Sequence, residues 1–201
     1  MLGKTHLVVG IAATMAITQP DTFSELILSV GGGSLGALIS DIDVGTSDSH
    51  RDADKITLLS IIVVLAVFLT DYFFGTEIVN RIISNSGYAR ILIGFLIFIV
   101  VCAFGKEQPH RSFMHSFLAL ALLSFAIGLI WEKAVIYFAI GFLSHLATDI
   151  FNKRKVKLLY PSKYGVALRL FSAKGLANKI FFIVGSAVVF LELIIFVIRL
   201  F

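Results

Sequence analysis

The sequence predicts an all-α, polytopic helical membrane protein with about seven (six to seven) transmembrane helices, built as a single integral membrane domain over residues 1–201. Three observations lead there. Hydrophobic residues make up 58% of the chain and charged residues only 15%, whereas a soluble domain has about 45–50% and about 25%. Mean hydropathy is correspondingly high, at +0.94. The apolar residues fall in runs approaching the roughly 20 residues that a spanning helix needs, which leaves little chain for a soluble module. Lys and Arg, finally, collect in one connecting stretch. A net charge of +4 concentrated in this way fits an anionic membrane face and is not a nucleic-acid signal. Cys102 is the single cysteine and lies in an apolar run, which excludes an intramolecular disulfide framework.

The first helix is expected from Lys4 to Thr18, with Pro20 closing it. Its start, MLGKTHLVVGIAATMAIT, resembles a secretion signal. It lacks a convincing small-residue cleavage site, however, and His6 interrupts its beginning, so it reads as a retained helix. The second helix, Ser24 to Ser40, carries Gly31, Gly32, Gly33 and Gly36, which let a neighbouring helix approach its backbone. It ends in the polar loop SDIDVGTSDSHRDADK. The third, Ile56 to Phe74, is a plain span. Residues 75–88 form a short connection in which Ile78, Val79, Ile82 and Ile83 can share one face of an interfacial helix. The fourth helix is Ala89 to Phe104 and the fifth Ser112 to Ile130, with Trp131 placed as an interfacial aromatic. The sixth is Ala134 to Ile150, and the last span Ile180 to Leu200. No internal repeat or low-complexity tract is visible.

Lys and Arg set the orientation. The stretch between helices six and seven holds Lys153, Arg154, Lys155, Lys157, Lys163, Arg169, Lys174 and Lys179 and no acid, so it belongs in the cytoplasm. Seven spans put the N-terminus on the same side and leave only Arg81, Arg90, Lys133 and Arg199 opposite. The expected location is the inner (cytoplasmic) membrane, with membrane lipid as partner and anionic lipid at the basic 153–179 loop. No nucleic-acid partner is expected, and nothing in the sequence specifies an oligomeric state.

The polar exceptions to this pattern share one end of the predicted bundle. They are His6 at the start of helix one, Asp41 and Asp43 at the end of helix two, His110, Arg111 and His115 at the start of helix five, and His145 and Asp149 at the end of helix six. His145 and Asp149 lie one turn apart on one helix face, in GFLSHLATDI. Such a pair suits a divalent metal, or simply a His–Asp hydrogen bond satisfying two buried groups. Four helix ends supplying His and Asp to one membrane level favour the metal, because ionisable groups at that depth are costly. Asp41 and Asp43 diverge on a continuous helix and converge only if it ends near Ser40. Pro109 puts His110 before the helix start, so that it can turn inward separately from His115. His50, Asp48, Asp52 and Asp54 read as solvated loop residues. A His/Asp set suits zinc, manganese or iron, and the number of candidate ligands leaves room for two ions. Arg111 at a helix start is placed to hold an anion, or else to snorkel to the interface.

The blocks THLVVGIA, GALISDID, HRSFMHSFLA and GFLSHLATDI, followed by LLYP, resemble in content and order those of the YdjM-like family, over nearly the whole chain. That family is described as membrane-bound metal-dependent hydrolases of bacteria, some under SOS control. The resemblance places His6, Asp41, Asp43, His110, Arg111, His115, His145 and Asp149 on the family's polar positions. The chain departs at Ser40, Val44, Ser112 and Met114, and Val44 stands where a histidine is usual. Residues and resemblance together imply a metal-dependent hydrolase at the cytoplasmic interface, acting on a phospholipid or lipid-linked phosphoester. Its metal ligands are His6, Asp41, Asp43, His115, His145 and Asp149, and Arg111 and His110 are its catalytic residues. A divalent metal-ion transporter and a metal-stapled structural protein are the alternatives. Transporters often show paired repeats with broken helices near the midplane, which this chain lacks.

Overall fold

The structure is a computed structural model describing residues 1–45, 48–172 and 175–200; in the third helix the side chains at 48–50, 52–54, 56, 57, 60, 61 and 64 lie outside that description. It is all-helical. The α-helices are α1 (Gly3–Thr18), α2 (Phe23–Ile39), α3 (Asp48–Phe74), α4 (Ile78–Ser84), α5 (Ser86–Lys106), α6 (Phe117–Ile130), α7 (Ala134–Ile150) and α8 (Leu176–Leu200). Short 3₁₀ turns cover Ser40–Asp43 and Phe113–His115. The described residues contain two isolated β-bridges, Asn152 with Phe171 and Val156 with Val166, and no strand. Among the described residues, three stretches are long and apolar enough to cross a membrane: Phe23–Asp43, Ser86–Lys106 and Leu176–Leu200.

Local chemistry sets the helix ends. Gln19 adopts a left-handed conformation (φ 45°) and its N–H reaches the Met15 carbonyl, so α1 stops at Thr18, two residues before Pro20. Thr22 caps α2 by accepting from the Glu25 N–H at 3.3 Å. Three helix starts differ from the sequence expectation by four residues or more. Helix five begins at Phe117 rather than Ser112, because Ser116 is the cap, accepting from Ala119 N–H at 3.2 Å. The chain before it is taken up by the 3₁₀ turn. The third helix starts at Asp48 rather than Ile56, so part of the polar loop is helical. The last helix starts at Leu176 rather than Ile180. The short helix expected within 75–88 is α4, with Ile78, Val79 and Ile82 half-buried and Ile83 exposed.

The centre of the molecule is the packing of α2 against α7 and α1. Gly36 makes the α2–α7 approach possible. A methyl group there would come within 2.7 Å of the Phe142 nitrogen and closer still to the Phe138 carbonyl oxygen. Gly141 faces the Gly33 backbone in the same way. Of the four glycines picked out in the second helix, Gly31 alone has nothing within 4 Å of an added methyl. Beside this contact lies an apolar core that includes Ile42, Met114, Leu123, Phe138, Phe142 and Leu146. Large apolar side chains also cover the outside, among them Phe73, Phe95, Phe125, Ile183, Phe190 and Ile198. A water-facing monomer rarely shows so much apolar surface.

The two glycines give a paired test. Gly36→Ala should destabilise the purified protein by about 1–3 kcal/mol, the usual cost of overpacking, whereas Gly31→Ala should leave its thermal unfolding unchanged. Equal unfolding temperatures for the two variants would contradict the α2–α7 contact.

Candidate metal centre

Four chain segments meet at one end of the bundle. α1 brings His6 in its first turns, and the Ser40–Asp43 turn brings Asp41 and Asp43. The Phe113–His115 turn ends on His115, and α7 contributes His145 and Asp149. The α2 helix does end at Ile39, and the tighter turn after it lets both aspartates reach the same imidazole. Asp43 Oδ2 lies 3.4 Å from His115 Nδ1, and Asp41 Oδ1 lies 3.9 Å from His115 Nε2. Residues His6, His115, His145 and Asp149 are all at most 1% exposed.

Among the described residues, two groups of donor atoms are close enough to hold an ion. One is Asp41, Asp43, His110 and His115; the other is His6, His145 and Asp149, and within each group the atoms lie within 4.8 Å of one another. The groups adjoin. His115 Nε2 is 3.2 Å from His145 Nε2 and 3.6 Å from Asp149 Oδ2, and His145 Nε2 is 3.7 Å from Asp41 Oδ1. The rings of His6 and His145 stack with centroids 3.8 Å apart.

Hydrogen positions follow from the partners. His145 Nδ1 lies 2.6 Å from the Ala37 carbonyl oxygen, which can only accept. Nδ1 therefore carries the hydrogen, and Nε2 presents a lone pair to the site. Thr148 donates its hydroxyl hydrogen to the His145 carbonyl at 2.9 Å, and the same oxygen lies 3.0 Å from His6 Nδ1. It accepts there, so His6 also holds its hydrogen on Nδ1 and turns a bare Nε2 inward. That Nε2 is buried with no hydrogen-bond partner, 3.4 Å from Asp149 Oδ1. A neutral His115 repairs one side only: a hydrogen on Nε2 serves His145 but leaves Nδ1, also buried without a hydrogen-bond partner, facing Asp43; an imidazolium would donate on both sides. With its three imidazoles neutral, the centre holds more acceptors than hydrogens. Lone pairs and carboxylate oxygens converging on one another fit a divalent cation, and the imidazole and carboxylate donors suit zinc or manganese.

Arg111 and His110 sit beside this cluster. The Arg111 guanidinium pairs with Asp149 Oδ2 at 2.9 Å and donates to the Arg154 carbonyl at 2.8 Å. Its own N–H reaches Asp43 Oδ2 at 3.2 Å, and its carbonyl accepts from Lys157 at 3.0 Å. These contacts hold a non-glycine residue at φ 66°, a conformation that persists only where the surroundings over-determine it. Arg111 is buried, so it is not a snorkelling arginine, and its Nε has no acceptor. His110, turned inward separately as Pro109 suggests, places Nδ1 2.8 Å from Asp43 Oδ1 while its side chain stays 32% exposed. The Met1 ammonium completes the ring around Asp149, 2.9 Å from Oδ1.

All eight residues singled out in the sequence therefore converge on one end. The side chain of His50, proposed as solvated, lies outside the described residues. Sequence reasoning missed the supporting groups. Thr148 is the one that left a signal: a polar residue three positions after His145, in an apolar helix, lies on the same face. Asn178, whose side-chain oxygen accepts from the Leu2 N–H at 3.1 Å and so fixes the start of α1, left none. Nor did the carbonyls of Ala37 and Arg154, which are invisible in side-chain identity.

The model of the family described as YdjM inner membrane protein matches residues 1–201, and the chain belongs to that family. No curated protein and no solved structure matches the chain.

If Thr148 fixes the His6 tautomer, Thr148→Val should weaken zinc or manganese binding by about 10–100-fold, the usual cost of losing such a supporting bond. Thr148→Ser should restore it. Equilibrium competition with a fluorescent chelator reads both, and equal affinities for valine and serine variants would remove Thr148 from the site.

Proposed function

We propose that this inner membrane protein is a metal-dependent hydrolase of the phosphoester type. The observation that carries the reading is the convergence of the bare Nε2 atoms of His6 and His145 on the carboxylates of Asp149 and Asp41. In this reading His6, His145 and Asp149 hold one zinc or manganese ion, and Asp41, Asp43 and His115 form a second position beside it. A bound divalent metal supplies an activated water and charge stabilisation at the leaving oxygen.

The chain's own residues do the rest. Asp43 orients His115, and the Ala37 carbonyl orients His145. His110, the partly exposed member, is placed to pass a proton between the Asp43 side of the site and water. The buried Nε–H of Arg111 is a donor that a phosphoryl oxygen would satisfy.

The chain is a single multi-pass domain in this reading. Helices α1, α2, α3, α5, α6, α7 and α8 span, α4 lies at the far interface, and the N-terminus and the site face the cytoplasm. With 14 residues, α6 is about 21 Å long at 1.5 Å per residue, against about 30 Å of hydrocarbon. Its start, and the site beside it, would then sit below the membrane surface. A substrate reaching that depth is an amphiphile, and a phospholipid or lipid-linked phosphate combines the required tail with a group suited to metal and arginine.

Three measurements test this. Purified protein should contain bound divalent metal and release phosphate or a headgroup from some member of a lipid-phosphate panel. Chelation should abolish that activity, and added zinc or manganese should restore it. Metal uptake into proteoliposomes without hydrolysis of any lipid would instead make the chain a transporter. Occupancy should fall as pH is lowered into the range where the imidazoles protonate, because protons compete with metal for their lone pairs; occupancy that rises with acidification would contradict histidine ligation. Finally, a cysteine at Ser162 should be shielded from a membrane-impermeant thiol reagent in intact cells, and labelling from outside would invert the topology.

A further inference from the structure

The segment after α7, residues 151–172, is a strap folded back over the end that holds the site. Val156 and Val166 exchange backbone hydrogen bonds at 2.8 and 2.9 Å, and Val156 is fully buried. Leu168 donates to the Ile150 carbonyl at 2.7 Å and Leu170 to the Phe151 carbonyl at 3.0 Å, which ties the strap to the end of α7. Lys157 donates to the Arg111 carbonyl, and the Leu158 carbonyl accepts from the first residue of α6, Phe117, at 2.9 Å. The strap is therefore fixed in place by backbone bonds.

Its outer surface combines two kinds of side chain. Lys153, Arg154, Lys155, Lys163 and Arg169 are exposed, and among the described residues none of them has a carboxylate partner. No Asp or Glu occurs anywhere in 151–179. Between the cations stand Leu159, Tyr164, Leu168 and Leu170, exposed by 68, 87, 53 and 67%. Unpaired cations alone would suit any polyanion. Exposed aliphatic and aromatic side chains interleaved with them call for a partner that is anionic at its face and apolar just beneath, as a bilayer of acidic lipid is.

We propose that the strap is a docking surface for the headgroups of anionic phospholipids, with Lys153, Arg154, Lys155, Lys163 and Arg169 meeting phosphates and Leu159, Tyr164, Leu168 and Leu170 entering the acyl boundary. The inference rests on the membrane reading and is independent of metal or hydrolysis. Its consequence is local. The Arg154 carbonyl that takes part in the strap also holds Arg111 against Asp149, so lipid gathered on the strap is gathered beside the Arg111–Asp149 pair.

The test uses the full chain in nanodiscs, with Tyr164→Trp in a Trp131→Phe background as reporter. In discs containing a third phosphatidylglycerol, the reporter's emission should lie several nanometres to the blue of its position in pure phosphatidylcholine, and acrylamide quenching should fall at least twofold. Raising salt to 1 M should reverse much of the difference. Replacing the five cations by glutamine should abolish it while metal content stays the same. Identical emission in the two lipids, a lipid difference that survives the glutamine substitutions, or the same shift produced in phosphatidylcholine by soluble glycerol phosphate would each overturn the proposal. Metal content measured on the same samples keeps this result separate from the metal reading.

Discussion

The arrangement of this end of the molecule depends on how closely α2 and α7 approach at Gly36 and Gly141. Side chains there would hold the helices apart, and the Ala37 carbonyl would no longer lie 2.6 Å from His145 Nδ1. That single bond decides which imidazole nitrogen carries hydrogen, and so which one faces the site. The same approach carries the end of α2 to the level at which Asp41 reaches His145. A packing contact between two glycine-bearing surfaces thus becomes a chemical specification several residues away, and α1, seated on both helices, adds His6 to the same level.

Burying two carboxylates and three histidines in one apolar environment is costly, and the structure offsets that cost in two ways. Some charge is neutralised by fixed cations: Arg111 and the Met1 ammonium each lie 2.9 Å from Asp149. A buried ion pair of this kind recovers its desolvation cost only with good geometry and further hydrogen bonds, which Arg111 obtains from its contacts to Asp43, Arg154 and Lys157. The remainder is only partly balanced by hydrogen bonds, such as those of Asp43 with His110 and the Arg111 N–H. His6 Nε2 and His115 Nδ1 have no partner, and both face carboxylate oxygens. Polar atoms left in that state cost free energy unless a cation joins them, which is why the cluster reads as a metal centre and not as a hydrogen-bonded core.

Much of this was legible in the residues. Composition pointed to an all-helical fold, and the level of each polar residue along its helix pointed to one shared end. The break after Ser40 was readable because Asp41 and Asp43 converge only off a continuous helix. The start of α6 was misplaced because an apolar run beginning near Ser112 looks helical, while two serines, Ser112 and Ser116, both resemble caps; only the backbone shows that Ser116 is used. What the sequence could not supply was the commitment of Arg111 to Asp149 and the direction of each imidazole. Both depend on backbone carbonyls and on a left-handed turn at a non-glycine residue, neither of which side-chain identity encodes.

The most direct test of the central claim is positional. Crystals of the protein grown with zinc, and separately with manganese, should give an anomalous difference peak among His6 Nε2, His145 Nε2 and the Asp149 carboxylate. A second peak beside Asp41, Asp43 and His115 would extend the same account. Anomalous density confined to surface carboxylates, with His6 Nε2 and Asp149 bridged by ordered water at saturating metal, would contradict it.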